Sequence, residues 1–175
     1  MRETSGTGFA APDRPSATGT GPAPTAKPAL RRAQFADLDA RTWHDLLRLR
    51  IDVFVVEQAC PYHELDGRDV DPGTEHLWVP DSTGPAAYLR VVHDEDGNVR
   101  IGRVCTRQTT RHYGLASVLV KDVLARYPSR QIVLAAQSYL VPFYLRHGFH
   151  RCGEDFLDDG IPHVPMAREP DTPGR

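Results

Sequence analysis

Cysteine is scarce in this chain. Cys60, Cys105 and Cys152 are the only three in 175 residues. An odd set cannot all pair within one molecule, so a disulfide framework is excluded and a reducing compartment is expected. Long apolar runs are also missing. Nothing approaches the ~20 apolar residues that cross a bilayer, and the N-terminus lacks the apolar core of a signal peptide. Neither sign of charge dominates: 21 Lys and Arg stand against 23 Asp and Glu, a formal net charge of -2. No overall field therefore draws the chain to nucleic acid. The expectation is a cytoplasmic protein that works on neither membrane nor nucleic acid.

Large apolar residues are nearly absent from the first 28 positions, "MRETSGTGFAAPDRPSATGTGPAPTAKP", where Phe9 stands alone after Met1. Such a segment cannot bury enough surface to offset the entropy of ordering. It is expected to be a disordered tail, with a second short tail at 170–175. Residues 29–169 then form one domain of ordinary size.

Within that domain, "LRRAQFADL" suits a short first strand. Asp39 is placed to cap a helix, in which Trp43, Leu46, Leu47, Ile51, Phe54 and Val55 recur on one face. Pro61 limits that helix, because the residue before a proline is pushed out of helical geometry. "CPYHELDGRDVDPGTEH" reads as an acidic, turn-rich connection. Three strands follow: "HLWVP", "AAYLRVVHD" and "RIGRVCTR", the last two joined by a turn with Asp96-Gly97 at its tip. "LASVLVKDVLARYP" places Leu115, Val118, Leu119 and Val123 on one helical face and stops at Pro128. "QIVLAAQ" suits a buried strand, and "LVPFYLRHGF" a short helix ended by Gly148. "HRCGEDFLDDGIPHVPMAR" gives two final strands around Asp159-Gly160. The order β α β β β α β α β β is a mixed α/β layer architecture.

Between the third of those strands and its helix lies "RHYGLA", residues 111–116. A helix start offers unpaired N–H groups and the positive end of the dipole, a place for phosphate. Gly114 lets the backbone approach an anion, Ala116 keeps the first turn narrow, and Arg111 adds a fork of donors. The loop lacks the G-K-[ST] of a Walker motif and the further glycines of a dinucleotide fingerprint. Taken alone, it is equally a plain strand-to-helix turn.

The loop taken with "QSYLVPFYLRHGF", one strand further on, resembles the GNAT superfamily of acyl-CoA N-acyltransferases. That family carries an R/Q-x-x-G-x-G/A loop for the cofactor pyrophosphate and an "FY…GF" segment at its thiol, here Phe143-Tyr144 and Gly148-Phe149. A narrower resemblance, to the ElaA-like branch, spans about Leu30 to Arg168. It rests on "LRIDVFVVEQACPYHELDGRD" and "DDGIPHVPMAR". One departure is His112, where many GNAT loops have glycine. The resemblance implies a central mixed, mostly antiparallel, twisted sheet flanked by helices. It further implies acetyl-CoA as co-substrate, a primary amine as acceptor, direct transfer, and no metal.

In this family the strand before the loop splays from its neighbour, so the backbone of Val104, Cys105 and Thr106 would meet the pantetheine arm. Arg111, His112, Tyr113, Gly114, Leu115 and Ala116 would hold the pyrophosphate, Tyr144 would lie at the thiol, and Gln137 would complete the cofactor-binding set. Tyr144 is the expected acid for the departing thiolate, since a phenol can donate as the thiolate develops. Cys105 is rejected as a nucleophile because direct transfer needs no acyl-enzyme. For the base, Glu57 is preferred over His163, because a glutamate raised by burial or a histidine can take a proton near neutrality. Glu57, Glu64, Asp66, Asp69, Asp71 and Glu75 together suggest an acidic mouth for a cationic acceptor, with His76 and His163 beside it. Each of these acids could equally be a solvated surface group. Cys60 and His63 have C-x-x-H spacing, but no second close pair completes a zinc set. The competing function is an acetyl-CoA-binding sensor without turnover. Acceptor identity and oligomeric state, a homodimer included, stay open.

Overall fold

A computed structural model describes residues 29–171. The tail expected at 1–28, and all but Pro170 and Asp171 of the one at 170–175, lie outside the described residues.

Eight strands form one sheet in the order β1-β2-β3-β4-β5-β8-β6, with β7 on the free side of β8. The strands are β1 (Arg31–Gln34), β2 (Glu75–Asp81), β3 (Gly84–His93), β4 (Val99–Thr106), β5 (Ile132–Gln137), β6 (His150–Arg151), β7 (Phe156–Asp158) and β8 (Ile161–Arg168). Every pairing is antiparallel except β4 with β5. Helix α1 (Ala40–Ile51) covers one face and α2 (Leu115–Arg126) the other, while the short α3 (Val141–Leu145) follows β5.

Alternation along the strands divides the core in two. Leu77, Leu89, Val91, Ile101, Leu134 and Met166 pack with Leu119, Val120 and Val123 of α2. Trp78, Tyr88 and Cys105 point the other way, onto Leu46, Leu49 and Val53. Successive side chains of a strand face opposite sides, so one sheet serves both helices.

Asp39 caps α1 as expected, accepting from the Thr42 N–H at 2.8 Å. The buried row of α1 is shifted from the one read in the sequence: Leu46, Leu49 and Arg50 point inward, whereas Ile51 is 40% exposed. The helix then widens to a π-helix over Asp52–Glu57. This extra residue per turn rotates the face, so the helix end delivers Glu57 and Gln58 toward the middle of the sheet. Cys60 closes the segment with an N–H bond to Val55 O, just before Pro61.

The chain end holds one strand more than expected. β6 is only two residues long and pairs with β8 at Ala167 and Met166, too short to show as a pattern. The β7–β8 hairpin turns at Asp159 and Gly160, both at positive φ, as a two-residue hairpin turn requires.

Candidate active site

β4 and β5 pair only at Val99–Ile132 and Arg100–Val133. Beyond those residues they diverge. The cause lies in β4 itself: between its pairings at Gly102 and Cys105 it holds two residues, where β3 has one. This bulge puts Arg103 at φ 53° and bends the strand away from its neighbour. The backbone of Ile101–Thr106 is thus left without a strand partner on its β5 side. A cavity of about 310 Å³ opens between the two strands. Ala135, in the middle of a central strand, is exposed because it looks into that space.

The cavity brings together Val104, Cys105, Thr106, Arg111, Ala116, Gln137, Tyr144 and Glu57 of the residues singled out from the sequence. A neighbouring cavity of about 390 Å³ shares Thr106, Arg111 and Ala116 and adds His112, Gly114 and Leu115. Tyr113 lines neither and is half exposed. The loop lies where the sequence places it, at the start of α2. Gly114 holds φ 72°, and no side chain among the described residues caps the helix, so its first N–H groups have no side-chain partner there. His112, standing where many related loops have glycine, takes φ 71°. It adopts the left-handed conformation that glycine would take more cheaply.

Tyr144 sits at the inner end. It is 4% exposed, and its ring meets Phe143 and Phe149 edge-on at 5.0 and 5.8 Å. Its hydroxyl has no hydrogen-bond partner among the described residues. Burial pushes the phenol well above its ordinary value, so it stays protonated and able to donate. Cys105 is also buried, and burial holds its thiol protonated.

Glu57 and Arg111 were read as base and phosphate ligand, two separate roles. They touch. The two terminal guanidinium nitrogens of Arg111 donate to the two Glu57 carboxylate oxygens at 2.7 Å.

The acidic mouth does not assemble. Glu64 and Asp69 are 5% and 2% exposed and face Arg50, which has no exposed surface at all. Arg90 donates to Asp66 and Asp69 at 2.6–2.9 Å, and Arg103 Nε lies 2.8 Å from Glu64. Buried charges require such partners. Glu75 pairs instead with Arg126 at 2.8 Å. His76 is fully buried. Its Nε2–H donates to Asp69 O at 3.0 Å and its Nδ1 accepts from the Tyr88 hydroxyl at 2.7 Å. Burial lowers its pKa, and the ring has no surface to offer an acceptor. His163 is half-buried and lies under the β7–β8 hairpin, against a third cavity.

Sequence reasoning missed Gln58, Arg103, Ser117, Arg146 and His147, all of which line the site. His147 donates through Nδ1 to Phe143 O at 2.9 Å and accepts from Ser117 at 2.7 Å, tying α3 to the start of α2. Only its spacing, four residues after Phe143, could have signalled this.

The comparisons with known proteins agree with this geometry. The family model described as "Acetyltransferase (GNAT) domain" matches residues 44–170. The UPF0039 protein Mb2876c of Mycobacterium bovis is 49% identical over 147 residues, covering 80% of this chain and 92% of that one. Protein ElaA of Escherichia coli is 36% identical over 142 residues, 77% and 92% of the two chains. Its crystal structure superposes with a TM-score of 0.74, covering 82% of this chain and all of ElaA. An acyl-CoA N-acyltransferase from Pseudomonas aeruginosa superposes at 0.76 with 37% identity, over 81% and 99% of the chains. An aminoglycoside 6'-N-acetyltransferase complexed with coenzyme A has the same fold at 13% identity and a TM-score of 0.62, over 83% and 99% of the chains. With its splayed strands, its glycine-led helix start and these relatives, the chain belongs to the GNAT acetyltransferase family, in its ElaA-like branch.

Proposed function

We propose that the protein transfers an acetyl group from acetyl-CoA to a primary amine by direct attack on the thioester. The observation that carries this reading is the cleft between β4 and β5, which runs from the α2 start to the Tyr144 phenol. The residues fit the cofactor. Unpaired β4 backbone suits an extended pantetheine, which would add like a strand. The glycine-led N-terminus of α2 suits a diphosphate. Arg111 would hold that diphosphate once it turns from Glu57, and Arg146 on the neighbouring cavity adds a second positive charge. The amine nitrogen forms a bond to the thioester carbon, its surplus N–H proton leaves to solvent, the C–S bond breaks, and Tyr144 protonates the sulfur. Its phenolate then recovers a proton from solvent.

The test is thiol release from acetyl-CoA over a panel of primary amines, paired with calorimetric titration of acetyl-CoA. Tyr144→Phe keeps the ring and removes only the donor. Turnover should fall about 10²–10⁴-fold, with the KM for acetyl-CoA little changed. Binding without thiol release from any amine would favour a cofactor-sensing module. Wild-type single-turnover rates in a folded Tyr144→Phe protein would make Tyr144 structural.

A further inference from the structure

The cleft leaves one role open, the group that takes the amine's proton. Glu57 reaches the cleft; it rests on Arg111 through both its oxygens and competes for this role only once Arg111 has turned to the diphosphate. Another acceptor stands behind the cleft wall. A cavity of about 70 Å³ lies beneath the β7–β8 hairpin, bounded by Phe54, Tyr62 and His163. It shares Gln58, Gln137 and Arg103 with the main cleft.

Gln58 and Gln137 form the partition. Each amide donates to the other's carbonyl at 3.1 Å, across 79 positions of sequence. Neutral hydrogen bonds of this kind are each worth about 1 kcal/mol net, so the partition parts cheaply. The flap above it is lightly held: all three residues of β7 are exposed.

His163 is oriented from several sides. Gln137 on β5 and Phe156 on β7 are both its cross-strand partners, so the three side chains share one face. The Phe156 ring stacks on it at 5.8 Å and 27°. Nδ1 lies 2.8 Å from the Ile161 carbonyl oxygen. A carbonyl can only accept, so Nδ1 carries the hydrogen and the neutral ring keeps its lone pair on Nε2. That nitrogen has no partner among the described residues. The charged groups around the cavity are Arg103 from β4, and Asp158 and Asp159 from β7 and its turn. Glu64 and Asp66 answer Arg103. The two aspartates have no ion-pair partner among the described residues.

We infer that His163 takes the proton of the acceptor amine, and that the amine reaches the thioester from beneath the β7–β8 hairpin by parting Gln58 and Gln137. The inference rests on the acyl-transfer reading above. The amine arrives as ammonium and gives one proton to Nε2. Its freed lone pair forms the C–N bond, the C–S bond breaks, and the remaining surplus N–H proton leaves to water. The sulfur takes its proton from Tyr144. One proton is released overall, from His163 back to solvent. The cavity is small, about 70 Å³, which favours an unhindered primary amine on a slender chain.

Calorimetry on the full chain with two ligands tests this. One is S-ethyl-CoA. The other is a CoA whose sulfur carries an ethyl-N-butylamine arm, with its nitrogen close to the attacking position. The wild type should bind the amine derivative about tenfold tighter, the scale of one charge-assisted hydrogen bond. His163→Ala and, separately, His163→Leu should lose that advantage while binding S-ethyl-CoA normally. No advantage in the wild type, or one that survives both substitutions in folded protein, overturns the inference. Nitrogen NMR of the labelled protein is a second check: the His163 ring should show an unprotonated Nε2 in its neutral form, and the opposite tautomer overturns the assignment. Wild type that fails to bind S-ethyl-CoA would overturn the acyl-CoA reading itself, a result distinct from the others.

Discussion

Two of the arginine–carboxylate assemblies that tie distant parts of this chain together differ in their access to water. Arg50, Glu64, Asp69 and Arg90 are all 0–5% exposed. Glu57 and Arg111 have side chains 37% and 35% exposed at the mouth of the cleft. In the first set every charge has been stripped of water, so each partner is obligatory. In the second, solvent can replace either partner at small cost. The buried set fixes the loop between α1 and β2 to the back of the sheet. The open pair keeps a cation beside the α2 start, where a ligand can compete for it. The same residue types thus serve architecture in one place and exchange in the other.

The largest effect is expected from Arg50→Ala. It would leave Glu64 and Asp69 buried with their main cation gone, and breaking a buried pair in this way costs about 3–5 kcal/mol. Chemical denaturation should show this loss. A variant within about 0.5 kcal/mol of wild type would mean that water enters the cluster and that the contrast with Glu57–Arg111 is false.

Acid should act through the buried set and its neighbours His76 and Asp66 in two stages. Burial depresses the His76 pKa, and an unfolded histidine titrates near ~6.5. The unfolded state therefore binds the proton first, and stability falls as pH drops below about 6.5. Asp66 and Asp69 also have lowered values, from ion pairing that outweighs their burial. Their contribution is present above ~4, the unfolded value, and is lost as pH falls further toward their folded values. Thermal midpoints measured from pH 8 to 3 should decline in both windows. His76→Gln should remove the upper one. A flat profile between pH 7 and 5 in the wild type would contradict the burial of His76.

The smallest effect is expected from Glu57→Gln. An exposed pair is worth about 0.2–1 kcal/mol, so folding stability should barely move. Freed of its competitor, Arg111 should bind the CoA diphosphate up to about fivefold tighter, the same energy as an affinity ratio. Titration at low and high salt would show the gain shrinking as salt screens the original pair. Weaker CoA binding would indicate that Glu57 holds Arg111 in its binding position.

These contrasts mark how far the sequence could be read. Asp39 as a cap, the helix opening at Leu115 and the turn at Asp159-Gly160 were all legible, because each depends on a few neighbours in sequence. The β6 strand was not, since two residues make no pattern. The buried row of α1 was not, since it includes Arg50, a charged side chain that the core takes in only because Glu64 and Asp69 of the following loop pair with it. Glu57, Glu64, Asp66 and Asp69 looked alike for the same reason: nothing local says whether an arginine 14 or 54 positions away will face a carboxylate.

The sequence by itself determined the local chemistry, namely a glycine-led helix start with an arginine before it, and a tyrosine on the next short helix. Its long matching segments also carried the family resemblance. The tertiary structure alone decided which charges are buried, that Glu57 and Arg111 meet, that a bulge at Arg103 opens β4 from β5, and that His163 lies behind the Gln58–Gln137 partition. Local propensity acts over a turn of helix or a two-residue hairpin. Desolvation and cross-strand pairing depend on what the whole chain places opposite a residue, and only folding sets that.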